Sequence, residues 1–338
     1  TTGGSNAAFG LNALYYNTTG GSNTALGDKA MQNNTTGGPN VAVGAWALKA
    51  NTTGGQNVAM GRDSLVTNTT GSMNTALGDN ALYANTTAND NTAVGSQALK
   101  ANTTGTSNTG IGCSALAAST TASNNTALGY SALLLNTTGT MNTAVGSNTL
   151  DANTTGDYNT ALGVNALGAN TTADQNTAVG YKALQACTTG HSNVALGSLA
   201  LEECTTGYCN VAIGRDALEA ETTGNNLTAV GFKALESNAG GATNTAIGYN
   251  SMQANTSGSQ NTAVGYQTLD AITTQSANTA VGDRVLSANT ANSNTGVGAF
   301  ALQANTTGSA NTAVGHNALN DNTTGGSNVA IGYNALAL

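Results

Sequence analysis

The side chains in this sequence able to do chemistry are four cysteines, two histidines and a group of glutamates. Cys187 and Cys204 are separated by the same interval that separates Glu202, Glu219 and Glu236 from one another. Cys204 and Cys209 flank the turn TTGY, and Cys113 stands alone. Zinc needs tight Cys/His clusters, and none is written here, so no metal site is expected. Glu203 and Glu221 lie close to the glutamate series. Stacked carboxylates repel and are able to hold Ca²⁺, but there is no glycine–aspartate calcium repeat, and a solvated acidic stripe is the simpler expectation. His191 and His316 lie far apart, and no Ser-His-Asp arrangement, phosphate loop or paired-carboxylate cleft is discernible. The chain is therefore not expected to be an enzyme, and no cofactor is called for. Asn-Thr-Thr or Asn-Thr-Ser recurs from Asn17 to Asn322. Formally these are glycosylation acceptors, yet an Asn stacked inside a repeat is closed to a transferase.

The recurring interval directs attention to the elements that must position these residues. Aligned on the Asn that opens each phrase, from Asn6 and Asn23 to Asn311 and Asn328, the 338 residues form twenty copies of one unit, N-T-A-V-G-x-x-A-L-x-A-N-T-T-G-x-x. Leu227 replaces the opening Asn once, and one residue is deleted near 287–293, so residues 1–338 read as a single array. Position 5 is Gly in every copy, position 4 is always apolar, position 9 is Leu or Met, and position 3 is Ala except at Gly110 and Gly296. Position 12 is Asn in fourteen of nineteen copies, and Cys187 and Cys204 occupy that slot in adjacent units.

A unit of this length is too short for a helix-turn-helix repeat, and β-branched residues beside obligate Gly and Asn are strand-and-turn chemistry. The expectation is an all-β fold, a parallel β-solenoid or β-roll of about twenty coils with two short strands per coil, NTAV and roughly ALxANT. At about 4.8 Å per coil the stack would extend about 95 Å. Gly at position 5 is expected to supply a corner with positive φ, and Asn at positions 1 and 12 to form amide ladders between coils. Strand alternation is read with positions 4 and 9 inward, position 2 on the face of position 4, and the Ala/Gly row at position 3 outward. That small outward row suits either a flat strand or the close approach of another chain. In-register neighbours would place the Cα atoms of Cys187 and Cys204 within disulfide range. A Cys187–Cys204 disulfide in an oxidising compartment, a Cys204–Cys209 pair and free thiols filling small slots all remain open.

Composition excludes several classes. Charged residues make up 7% and the net charge is −8. Eight scattered Lys and Arg leave no footprint for nucleic acid, and no apolar run is long enough to span a membrane. The opening TTGGSN lacks a Met and a signal peptide, as expected of a processed product or a fragment.

The phrase NTAVGYQTL, with ANTTG recurring after such phrases, resembles repeat arrays of bacteriophage tail fibres and bacterial surface proteins, which often precede a self-cleaving chaperone domain. More distantly, NTAVG is similar to the SVAIG phrase in the β-roll heads of trimeric autotransporter adhesins, whose coils are shorter than the unit found here. The resemblance implies an extracellular, cell-surface or virion fibre, usually homotrimeric, acting as spacer or adhesive surface. Self-association as a homotrimer or head-to-tail filament is the expected partnership, with a cell-surface or glycan receptor as a further one. Two other functions stay open. An ice-binding solenoid would use the Thr ranks, although position 2 is expected to share a face with the core. A glycan-binding rod would use the aromatic residues recurring at position 6, such as Tyr249 and Tyr266.

Overall fold

The computed structural model describes residues 2–337. It comprises two compact units, Thr1–Thr172 and Ala173–Leu338. The first carries ten strands of three residues, β1 (Ala7–Phe9) to β10 (Thr160–Leu162), and the second carries ten more, β11 (Thr177–Val179) to β20 (Val329–Ile331). Within the first unit each strand pairs in parallel with the equivalent residues of the next coil, as in Thr92↔Thr109, Ala93↔Gly110 and Val94↔Ile111. The second unit repeats the pattern with Val194↔Val211, Ala195↔Ala212 and Leu196↔Ile213. Each unit is thus a parallel β-solenoid of 17-residue coils, all-β, with no helix among the described residues. The single deletion lies in the turn after Asn289. There the offset falls by one, with Thr279↔Thr295, and the Asn289 amide reaches the carbonyl two residues on instead of three.

Position 5 makes the corner. Its glycines have φ between 113° and 143°, where side chains are strained. A Cβ on Gly112 would lie 2.3 Å from the Gly129 carbonyl oxygen of the next coil. Dihedral and inter-coil contact both demand glycine, so the slot never varies.

Two expectations are corrected. The segment ALxANT is not a second strand. Positions 7 and 9 take positive φ, as at Trp46 (63°) and Leu48 (52°), and the segment winds through turns. Its amides still reach the next coil, with Leu48 N donating to Ser64 O and Ala50 N to Val66 O. Backbone polar groups are satisfied there without a ladder of extended residues.

The faces of the strand are also reversed. Position 3, not position 4, points inward. Ala42, Ala59, Ala93 and Ala263 are fully buried, whereas residues at positions 2 and 4 are half-buried or exposed. Interior width is the cause. A Cβ placed on Gly110 would sit 3.4 Å from Leu99 Cγ and 3.3 Å from the Ala115 carbonyl oxygen. The inward Leu of position 9 and the backbone at position 8 leave room for one methyl group, so a Val there would overpack. The core is correspondingly a column of Leu flanked by Ala, with each fully buried Leu contributing about 1.5–3 kcal/mol. Where Val285 replaces the small residue at position 8, the facing position-3 residue is Gly296, whose added Cβ would come 2.5 Å from Val285 Cγ1.

The asparagine ladders form as the repeat predicts. Asn40 is buried and bonds to the coils on both sides of it. Its backbone N donates to Asn23 Oδ1 at 2.9 Å and its Oδ1 accepts from the Asn57 amide at 2.9 Å, while its Nδ2 donates to Gly54 O of its own coil at 2.9 Å. Asn51 Nδ2 donates to Asn34 Oδ1 at 2.7 Å and to the same Gly54 O at 2.9 Å. The two ladders therefore converge on the same position-15 carbonyl. Gaps in the ladder leave a trace. Asn102 Oδ1 and Asn255 Oδ1 are buried without a partner, and the coils that follow carry Ser119 and Ile272 in the slot.

Candidate functional site

Burying Ala turns positions 2 and 4 out to solvent, and this outer face is the most extensive candidate site. In the first unit the row at position 4 runs from Phe9 and Leu26 to Leu162; in the second it runs from Val179 and Leu196 to Ile331. Leu26, Leu128 and Leu196 are each 45% exposed. Beside it, position 2 offers a row that is Thr in fourteen copies and Val in five. No charged residue occurs in either row. Contiguous apolar surface of this kind marks interaction sites in soluble proteins. The sequence signal for it was present in the uninterrupted apolar choice at position 4, which reads as core because hydrophobicity alone does not reveal which face of a strand is enclosed.

Cys187 and Cys204 are buried free thiols. Each takes over the role of the ladder Asn, turning Sγ toward the position-15 carbonyl of its own coil, Gly190 O at 3.2 Å and Gly207 O at 3.7 Å. Burial pushes the Cys187 thiol up to about 11 and the Cys204 thiol up to about 12, the latter also through Cys187 and Glu221. Thiols so raised are poor nucleophiles. Cys113 and Cys209 are exposed and free.

Glu221, next in the same ladder slot, is fully buried. It accepts hydrogen bonds from the amides of Thr223 and Gly224 and from Asn238 Nδ2. Burial raises its carboxyl above the ordinary value, against the pull of those donors. The recurrent Asn-Thr-Thr asparagines are engaged in the same ladder. Asn34, Asn51, Asn68 and Asn136 are all fully buried, which closes them to enzymatic glycosylation in the folded state.

Three successive aromatic residues at position 6, Phe232, Tyr249 and Tyr266, stack on one another, whereas Tyr130 and Tyr181 in the same slot stand exposed. Phe232 and Tyr249 have ring centroids 5.3 Å apart, and Tyr249 and Tyr266 5.5 Å. Arg215 lies over Phe232 and Arg284 over Tyr266. In this stack the ring faces are thereby occupied, whereas a sugar platform needs an open face. His191 stacks on Tyr208 and His316 on Tyr333; neither meets a nucleophile and a carboxylate together.

Glu202 and Glu236 are ion-paired, with Lys182 at 3.1 Å and Lys233 at 2.7 Å. The glutamate column gains a member that sequence spacing did not single out. Asp216, at position 7 of the Glu219 coil, joins Glu219 and Glu236, and one carboxylate oxygen from each lies within 4.8 Å of the others. The signal was that positions 7 and 10 face each other in these coils, as Lys233 and Glu236 do. No helix of the described residues is long and apolar enough to cross a membrane. No protein-family model matches the chain, and no curated protein matches it.

Proposed function

We propose that the chain is a structural segment of an extracellular fibre or adhesin, a spacer whose coils set length and whose outer sheet face packs against further copies of the same chain. The observation that carries this reading is the uncharged aliphatic row at position 4, exposed coil after coil. A row with the solenoid's own period of about 4.8 Å is matched along its length by another copy of itself, and the lack of charge removes repulsion between copies. The near-identity of the coils suits a spacer better than a catalyst.

Sedimentation velocity on the full chain tests the reading. The expected result is an oligomer that dissociates to monomer when Ile111→Lys and Leu128→Glu are introduced together, with the β circular dichroism unchanged. Opposite charges on neighbouring coils avoid repulsion within the row. A wild-type chain that stays a monodisperse monomer across the accessible concentration range would refute it.

One observation favours a second reading, an ice-binding solenoid. Position 2 faces solvent, so its Thr ranks form a regular array with the aliphatic row on an exposed sheet. Ice binding requires that face to be free, whereas self-association covers it. Absence of thermal hysteresis at high protein concentration would remove this alternative.

A further inference from the structure

We infer that Asp216, Glu219 and Glu236 form a binding site for a divalent cation of the calcium type. Lys182, two coils before the Glu219 coil, pairs with Glu202 of the coil after its own, and Lys233 pairs with Glu236 within its own coil. In the Glu219 coil itself position 7 is Asp216, which sets a second carboxylate beside Glu219. The group thus holds four carboxylates (Glu202, Asp216, Glu219 and Glu236) against three cations (Lys182, Arg215 and Lys233). Among the described residues Glu219 is the one of these carboxylates without an ion pair.

A second, independent observation points to a ligand. The Asp216 side chain is only 6% exposed. Its Oδ2 accepts from Arg215 Nε at 3.0 Å, but its Oδ1 is buried with no hydrogen-bond partner. A buried, unpartnered carboxylate oxygen is costly unless something positive meets it.

The spacing and the donor type accommodate a calcium-type ion. Oxygens bound to one Ca²⁺ at about 2.3–2.6 Å stand at most about 5 Å apart, whereas Mg²⁺ at about 2.0–2.1 Å would draw them to about 4.2 Å. The three oxygens lie within 4.8 Å of one another, inside the span that one Ca²⁺ bridges without drawing the carboxylates together as Mg²⁺ would. An all-oxygen donor set also disfavours zinc. The cation would compete for Glu236 with Lys233, which meets Oε1, and with Gln253 Nε2, which donates to Oε2, and would bridge two successive coils.

Calorimetric titration of the chelator-treated full chain with calcium chloride tests the assignment, alongside thermal unfolding with and without calcium. Calcium is expected to bind and raise the unfolding midpoint, with magnesium weaker. Glu219→Gln should weaken binding by at least about tenfold, while raising the midpoint in chelator because it removes like-charge repulsion; that second readout shows the variant to be folded. Lys233→Met should tighten binding, since it removes the competing ammonium. No heat and no midpoint shift with calcium, or Glu219→Gln binding as the wild type does, would overturn the site.

Discussion

The position-1 asparagine ladder lends itself to a reciprocal test. Asn91 Nδ2 donates to Gly105 O at 2.9 Å, and its Oδ1 accepts from the Asn108 backbone amide at 3.0 Å and from Asn108 Nδ2 at 3.2 Å. Replacing it by leucine keeps roughly the same volume but leaves the buried Asn108 amide without an acceptor, at a cost of about 1–3 kcal/mol. Gly105 O loses less, because Asn102 Nδ2 still donates to it at 3.0 Å. Added apolar burial returns part of the loss, so Asn91→Leu should cost about 2 kcal/mol net. The chain contains the reverse case in Leu227. Its amide donates to Asn210 Oδ1 at 3.0 Å, but leucine offers no acceptor to the Asn244 amide of the following coil. Leu227→Asn should therefore stabilise by about 1 kcal/mol. Since solenoids open coil by coil, native-state hydrogen exchange is the appropriate assay. The Asn108 amide should exchange about ten- to a hundredfold faster in Asn91→Leu, at about 1.4 kcal/mol per factor of ten, and the Asn244 amide slower in Leu227→Asn. If neither amide responds, the ladder asparagines are passive fillers and the reasoning fails.

Two further outcomes follow from the same coil geometry. Gly112→Ala should cost about 3 kcal/mol or more, combining a strained dihedral with overlap on the Gly129 carbonyl, whereas Gly332→Ala, whose Cβ meets no atom within 4 Å, should cost only the dihedral part; equal losses in local exchange protection would show that inter-coil contact plays no role. Because burial raises the Glu221 carboxyl above about 4.5 in the folded state, the native chain binds that proton more tightly than the unfolded one, so this group's contribution is full below about pH 4.5 and is lost as pH rises through the folded value. Glu221→Asn, which restores the ladder donor, should unfold at higher urea than wild type at neutral pH, with the gap narrowing toward about pH 4; a gap independent of pH would contradict it.

Much of this protein is determined by its sequence alone. A phrase restated at a fixed interval with glycine always at position 5 specifies a coil, its register and its number, because stacking puts identical residues directly above one another. The same logic places Asn at positions 1 and 12 in ladders, and even their interruptions at Ser119 and Ile272 are legible as lost partners. What alternation cannot convey is which side of a strand is enclosed. The apolar residue at position 4 argued for an inward Val, but the inward Leu99 and the Ala115 carbonyl leave space beside Gly110 for no more than a methyl group, so volume overrode hydrophobicity and the aliphatic row went to the surface. The path of positions 6 to 12 was likewise decided in three dimensions, where inter-coil hydrogen bonds sustain positive φ at leucine after leucine. That turn is what sets position 7 against position 10, and so brings Asp216 to Glu219 and Glu236, a juxtaposition that exists only once the coils are stacked.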